Sequence, residues 1–283
     1  MKDEHLGIIY LVLFSFTGGL VGVVVNLAQG IDSFSLAFLR GLSAIIFLFI
    51  VILQRKRFKE LKIVMPINTI AIGILEGLSI LFYFLAVTHT TVSNAIFLVY
   101  LAPVYSMILS VIILKEKIQK RSIYGLILAI IGVLLIVDPR QLQSIHIGDI
   151  YALLAGFFYA AMAIVAKPIT KKKSSYYIAF WQYFIITLMF LFFYKPDISL
   201  LIINWWQILI LGVFCSGIAF VIFMEGVKRI EGQKIFIVTS LEPFFGTILA
   251  FFFLKEVPSP LTLIGGIVII SGVYLISQKT KEK

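Results

Sequence analysis

Four charged side chains sit inside long apolar runs of this sequence: Arg40, Glu76, Glu225 and Glu242. A charge at the centre of a membrane-crossing helix costs about 2.5–3.5 kcal/mol on insertion scales, so such groups face a cavity or a partner. Arg40 and Glu76 carry opposite charge and can satisfy one another as an internal ion pair. Glu225 lies near Lys228 and Arg229 and can reach the membrane boundary beside them. Glu242 directly precedes Pro243. A proline removes a helical hydrogen bond and opens a kink, where freed carbonyls meet neighbouring groups or cavity water. A carboxylate at such a break can hold an amine or a proton. Ser15, Asn26, Tyr83, Asn94, Tyr100, Tyr159, Trp181 and Gln182 are the uncharged groups placed to line a substrate cavity with Glu76 and Glu242.

Other chemistries lack their residues. No glycine loop with a following Lys exists to cradle phosphates, so ATP does not drive the protein. His5, His89 and His146 stand far apart, and Cys215 is alone, so neither a metal set nor an internal disulfide is implied. A membrane-embedded enzyme would need carboxylates or His clustered at one depth, and none are clustered. No cofactor is expected.

The elements that position these groups follow from composition. The 283 residues are 61% hydrophobic and 13% charged, with mean hydropathy +1.07, against about 25% charged in soluble domains. A water-soluble fold of this size could not cover so much apolar surface. Runs of about 20 apolar residues read as membrane-crossing helices. Ten are found: Leu6–Ala28, Phe34–Leu53, Ile70–Val87, Val92–Leu114, Ser122–Val137, Ile147–Ile169, Tyr176–Tyr194, Ile203–Val227, Lys234–Leu254 and Ser259–Ser277. The expected fold is an all-α integral membrane protein, with the bilayer as its surroundings. Asp3, Glu4 and the length of the first apolar run argue against a cleaved signal peptide and for a retained helix.

Net charge +10 would point a soluble protein toward nucleic acid, but here the loops account for it. Twenty of the 24 Lys and Arg residues lie in the two tails and in alternate loops, around Arg57, Lys117, Lys172 and Lys228. The positive-inside rule then places both termini in the cytoplasm and the protein in the cell membrane, with no nucleic-acid partner.

An internal repeat organises the chain. Adding 140 to the first half's numbering carries Gly77 to Gly217, Pro103 to Pro243, Lys115-Glu116 to Lys255-Glu256, and Gly125 and Gly132 to Gly265 and Gly272. Upstream the offset drifts: Gly7 and Tyr10 match Gly148 and Tyr151, and Ala37-Phe38 match Ala179-Phe180. The chain is therefore read as two five-helix units, residues 1–141 and 142–283. An odd number of spans forces the second unit to insert upside down, an architecture of secondary transporters with substrate bound near the midplane. The charges at Arg40, Glu76, Glu225 and Glu242 are not duplicated, so the scaffold alone does not require them.

The stretch from Leu81 to Val137, with "YLAPVYSMILSVIILKEK" at its centre, and its counterpart from Ser240, "SLEPFFGTILAFFFLKE", resemble EamA-type units of the drug/metabolite transporter superfamily. The shared pattern is a Pro in each unit's fourth helix, a Glu thirteen residues later, and a glycine-rich fifth helix. The resemblance implies a ten-helix carrier of small organic solutes, often outward-directed, with a central cavity lined by helices one, three, four, six, eight and nine. Pro103 and Pro243 are the expected hinges. Glu116 and Glu256 are expected helix-end clasps, compensated by adjacent lysines or by the next helix's N-terminus. The seven-residue glycine spacings of helices five and ten provide a close-packing face, either for one another or for a second protomer in a homodimer. The function expected is alternating-access transport, most simply export, of amino acids or amphipathic drug-like solutes. A nucleotide-sugar or other organic-anion carrier is the alternative, and a passive channel would lack saturable flux.

Overall fold

The computed structural model describes residues 2–64, 66–90, 92–137, 146–255 and 257–278, which form helices and turns with no strand among them. Nine of these helical stretches are long and apolar enough to cross a membrane, among the described residues. The first three are α1 (Lys2–Leu27), α2 (Ser33–Gln54) and α3 (Pro66–His89). The expected seventh span is α8, Ser175–Leu191, an apolar helix of 17 residues. Its length of about 26 Å falls just short of the roughly 30 Å hydrocarbon core.

Each of the two spans that carry the repeated proline, Pro103 and Pro243, is two helices rather than one kinked helix. The fourth run divides into α4 (Val92–Val99) and α5 (Ala102–Leu114), with the turn at Tyr100 and Leu101. Its counterpart divides into α12 (Gly232–Thr239) and α13 (Glu242–Leu254), with the turn at Ser240 and Leu241. Pro103 and Pro243 sit in the first turns of α5 and α13, where a missing N–H costs nothing because no intrahelical acceptor exists there. Both helices close on a left-handed lysine, Lys115 at φ 56° and Lys255 at φ 59°. The elements α6 (Lys120–Val137) and α14 (Pro260–Ser277) follow.

The eighth run is also more broken than its composition indicates. After α7 (Ile147–Thr170) and α8 come two short helices, α9 (Ile198–Ile203) and α10 (Trp205–Leu209). A π-helical stretch, Ile210–Ile218, and α11 (Ala219–Arg229) complete the run. α9 leaves Ile198 and Ile202 exposed, so the span proper begins at Trp205. Asn204, wholly buried at the α9–α10 junction, fastens the end of α1: its Oδ1 accepts from Gln29 N at 2.8 Å and its Nδ2 donates to Gln29 O at 3.0 Å.

α7 occupies the middle of the bundle. Ala152, Ala155, Ala160, Ala163 and Ala166 have no exposed surface, and these small side chains admit α3, α4, α5 and α11 to close approach. Outward faces carry large apolar side chains such as Ile67, Phe192 and Phe252, as surfaces meeting lipid tails do. α6 and α14 pack on each other. Of the two alternatives for the glycine faces, the intramolecular one holds. A Cβ built on Gly132 would lie 2.7 Å from the Gly265 carbonyl oxygen, and one on Gly265 would lie 2.6 Å from the Gly132 oxygen.

Candidate functional site

The break between α12 and α13 places Glu242 in the first turn of α13, where the positive end of the helix dipole favours a carboxylate. Its carboxyl accepts hydrogen bonds from Tyr100 Oη at 2.8 Å and Tyr159 Oη at 3.4 Å. Tyr100 comes from the turn between α4 and α5, and Tyr159 from the middle of α7. Both helix breaks therefore converge on one carboxylate. All three side chains are half-buried, so the group retains accessible surface deep in the bundle. Gly18 of α1 packs against it: a Cβ there would fall 2.8 Å from Glu242 Cδ. The charges of Glu76 and Arg40 act on Glu242, and Glu76 also acts on Tyr159.

Arg40 does not pair with Glu76. Its Nε donates to Ser216 Oγ, and its Nη2 donates to the Cys215 carbonyl at 3.4 Å. The reason lies in the π-helical stretch. Its wide turn lets Ser216 Oγ donate back five residues to Leu211 O at 2.7 Å, which turns the Ser216 oxygen toward α2. Glu76 keeps one carboxylate oxygen, Oε2, buried without a hydrogen-bond partner. Tyr100, Tyr159 and Glu242 thus form one hydrogen-bonded group, and Arg40 is held by the π-helical stretch.

The other residues singled out above lie elsewhere. Trp181 donates its indole N–H to the Glu60 carbonyl at 3.2 Å, which holds the short 3-10 helix Phe58–Leu61 against α8. Gln182 has no exposed surface, and neither of its amide atoms has a partner. Ser15 donates to Leu11 O at 2.8 Å within α1 and faces Val238 O at 3.5 Å. Asn94 donates to Asp149 at 3.3 Å, joined by Thr90 at 2.7 Å, so these groups tie α3 and α4 to the start of α7. Asn26 is exposed near the end of α1. Glu225 takes a hydrogen bond from Ser175 at 2.6 Å and pairs with Arg229.

The helix-end clasp has a different partner from the expected one. Glu116 accepts from the backbone N–H of Gly232 at 3.0 Å and of Gln233 at 3.4 Å. It therefore caps α12 from the other half of the chain rather than the next helix, α6. Glu256 lies outside the described residues. Sequence reasoning passed over Asn204, which is uncharged, and Asp149, which stands at the very start of its apolar run, yet both stitch helix ends together.

The arrangement fits what comparison with known proteins finds. The family model described as EamA-like transporter family matches residues 5–138 and again 146–278. An uncharacterized transporter of Archaeoglobus fulgidus is 28% identical over 270 residues, covering 94% of each chain. The pseudopaline exporter CntI of Pseudomonas aeruginosa is 25% identical over 279 residues, covering 97% of each. A crystal structure 18% identical in sequence superposes with TM-score 0.80, covering 98% of this chain and 97% of that one, so the fold is shared. The chain is a multi-pass membrane transporter, not an enzyme, and it belongs to the EamA-like transporter family.

Proposed function

We propose that this chain is an alternating-access exporter of small amine-bearing metabolites, amino acids or amphipathic amines, built as two inverted five-helix units. The carrying observation is the Glu242 carboxyl at a helix break, held by Tyr100 and Tyr159 and still half-buried. A carboxylate with aromatic rings around it offers an amine both a charge partner and ring faces. Glu76 of α3 brings a second carboxylate, one oxygen of which has no hydrogen-bond partner. Arg40 and Lys167, the cations that an anion carrier would turn on its substrate, are engaged by Ser216 and by backbone carbonyls instead. Ten spans, α8 included, and a positive-inside reading of the Lys- and Arg-rich loops support a place in the cell membrane with the basic end cytoplasmic.

Flux in liposomes with a panel of amines, zwitterions and carboxylates tests the reading. Saturable, amine-selective flux that Glu242→Gln abolishes, or strips of its pH dependence, supports it. Flux of carboxylates alone would move the assignment to the anion class, and unsaturable flux would mark a channel.

A further inference from the structure

The two ends of the bundle are not closed alike, and the difference can be followed residue by residue through the repeat. At the basic end, α5 packs against α12, and α7 against α11. The corresponding pairs at the other end, α13 with α4 and α1 with α3, have no comparable contact among the described residues. Ala163 of α7 has no exposed surface. Its counterpart 141 residues earlier is Gly22, where an added Cβ would meet nothing within 4 Å.

One side chain crosses the closed end in a way its counterpart does not. Lys167 of α7 is buried, with 8% of its surface exposed. Its ammonium donates to Val227 O at 3.1 Å and to Ile230 O, the carbonyls at the end of α11. These carry the negative end of that helix's dipole. Ser106 adds a 2.7 Å bond to Gly232 O, and Gln119 a 2.6 Å bond to Glu231. The residue matching Lys167 is Asn26, which is exposed.

We propose that Lys167 is the latch that holds the basic end shut, and that the structure is the state open at the opposite end, between α1, α3, α4 and α13. This rests on the inverted-repeat carrier reading given above. Opening the basic end requires α7 to leave α11, so the ammonium must exchange two carbonyls for water. Lys167 is a positioning residue: it touches no substrate and sets which end is open.

Cys215 is the single cysteine, so Cys215→Ala gives a cysteine-free parent. Two reporters are placed in it separately. Ser110→Cys lies beneath Gly232 and has no exposed surface here, while Asn26→Cys is exposed. Labelling of purified protein by a charged maleimide is followed with Lys167 intact and with Lys167→Met. The expected result is labelling at least roughly tenfold faster at Ser110→Cys and slower at Asn26→Cys, since both hydrogen bonds of the ammonium are lost. Ser106→Ala should move both rates the same way by less, and it decides the matter if Lys167→Met does not fold. Unchanged rates, or a rise at both reporters together, overturn the latch. Labelling needs no substrate, so the two ideas fail separately. A shifted equilibrium without any flux removes the carrier reading, and flux with unshifted labelling removes the latch.

Discussion

Tyr100 of the first half donates its hydroxyl to Glu242 of the second across 2.8 Å, and this bond joins the two helix breaks of the molecule. The residue at the first break that corresponds to Glu242 is Ala102. The break itself therefore does not require the carboxylate.

Replacing Tyr100 by Phe removes that bond and leaves the ring. A hydrogen bond to a charged group is worth about 1.5–3 kcal/mol, so flux should fall roughly 10- to 100-fold. Tyr159→Phe, whose contact is 3.4 Å, should cost less. Liposome flux with matched protein content measures both. A larger loss for Tyr159→Phe would put the dominant contact on α7.

Two glycines one turn apart on α1 should respond oppositely to Ala. A Cβ on Gly19 would lie 2.5 Å from Gly246 N and 2.8 Å from Phe245 C, backbone that cannot step aside. Gly19→Ala should destabilise by about 1–3 kcal/mol through overpacking. Gly22→Ala meets nothing within 4 Å and should be neutral or gain up to about 1 kcal/mol from helix propensity. Thermal unfolding in detergent reads the contrast, and equal losses at both positions would contradict it.

Asn204→Ala strips the end of α1 of two hydrogen bonds and leaves the Gln29 amide and carbonyl without their partner. Gln29 is exposed and water can replace the partner, so each lost bond costs about 0.5–1.5 kcal/mol. The unfolding temperature should fall, and proteolysis between Gly30 and Asp32 should quicken. Wild-type protease resistance would show the α1–α2 turn to be held by other contacts.

Asp32 caps α2 through Phe34 N and Ser35 N at 3.1 and 3.0 Å. Burial works against its charge. Hydrogen bonds from the Ser35 side chain and from the backbone N–H groups of Ser35 and Phe34, with the Lys195 charge, outweigh burial and hold the carboxyl below its ordinary value. A depressed carboxyl stabilises the fold above its unfolded pKa, and the contribution fades as pH falls through the folded one. Asp32→Ala should therefore cost about 0.5–2 kcal/mol near neutral pH, and the gap from wild type should narrow below about pH 4. A gap that widens on acidification would refute the sign.

The sequence disclosed its spans because lipid demands long apolar runs, and it disclosed both breaks because proline excludes helix interiors at Pro103 and Pro243. Glu242 stood out because its charge lies beside one of those breaks. The partners were not legible. Opposite charges invited an Arg40–Glu76 pair, but a π turn 176 residues further along the chain set Ser216 before the guanidinium instead. Glu116 seemed destined for the adjacent helix, yet its acceptors face α12, more than a hundred residues on. Trp181 has the composition of a cavity group and serves to pin a loop. Hydropathy fixes depth in the membrane, whereas partners depend on which helices become neighbours.

The glycine seam of α6 and α14 has a bearing on ancestry. Gly132 packs on Gly265 and Gly125 packs on Gly272, a Cβ on Gly272 falling 3.2 Å from the Gly125 carbonyl, so exchanging each glycine for its repeat counterpart reproduces the same pair of contacts. Reciprocal contacts of this kind are those of an isologous interface between identical subunits. A lone five-helix protein inserted in both orientations would present this seam to its own upturned copy. Gene fusion would then have had only to join two chains already assembled, and separate expression of the halves offers a way to rebuild that ancestor.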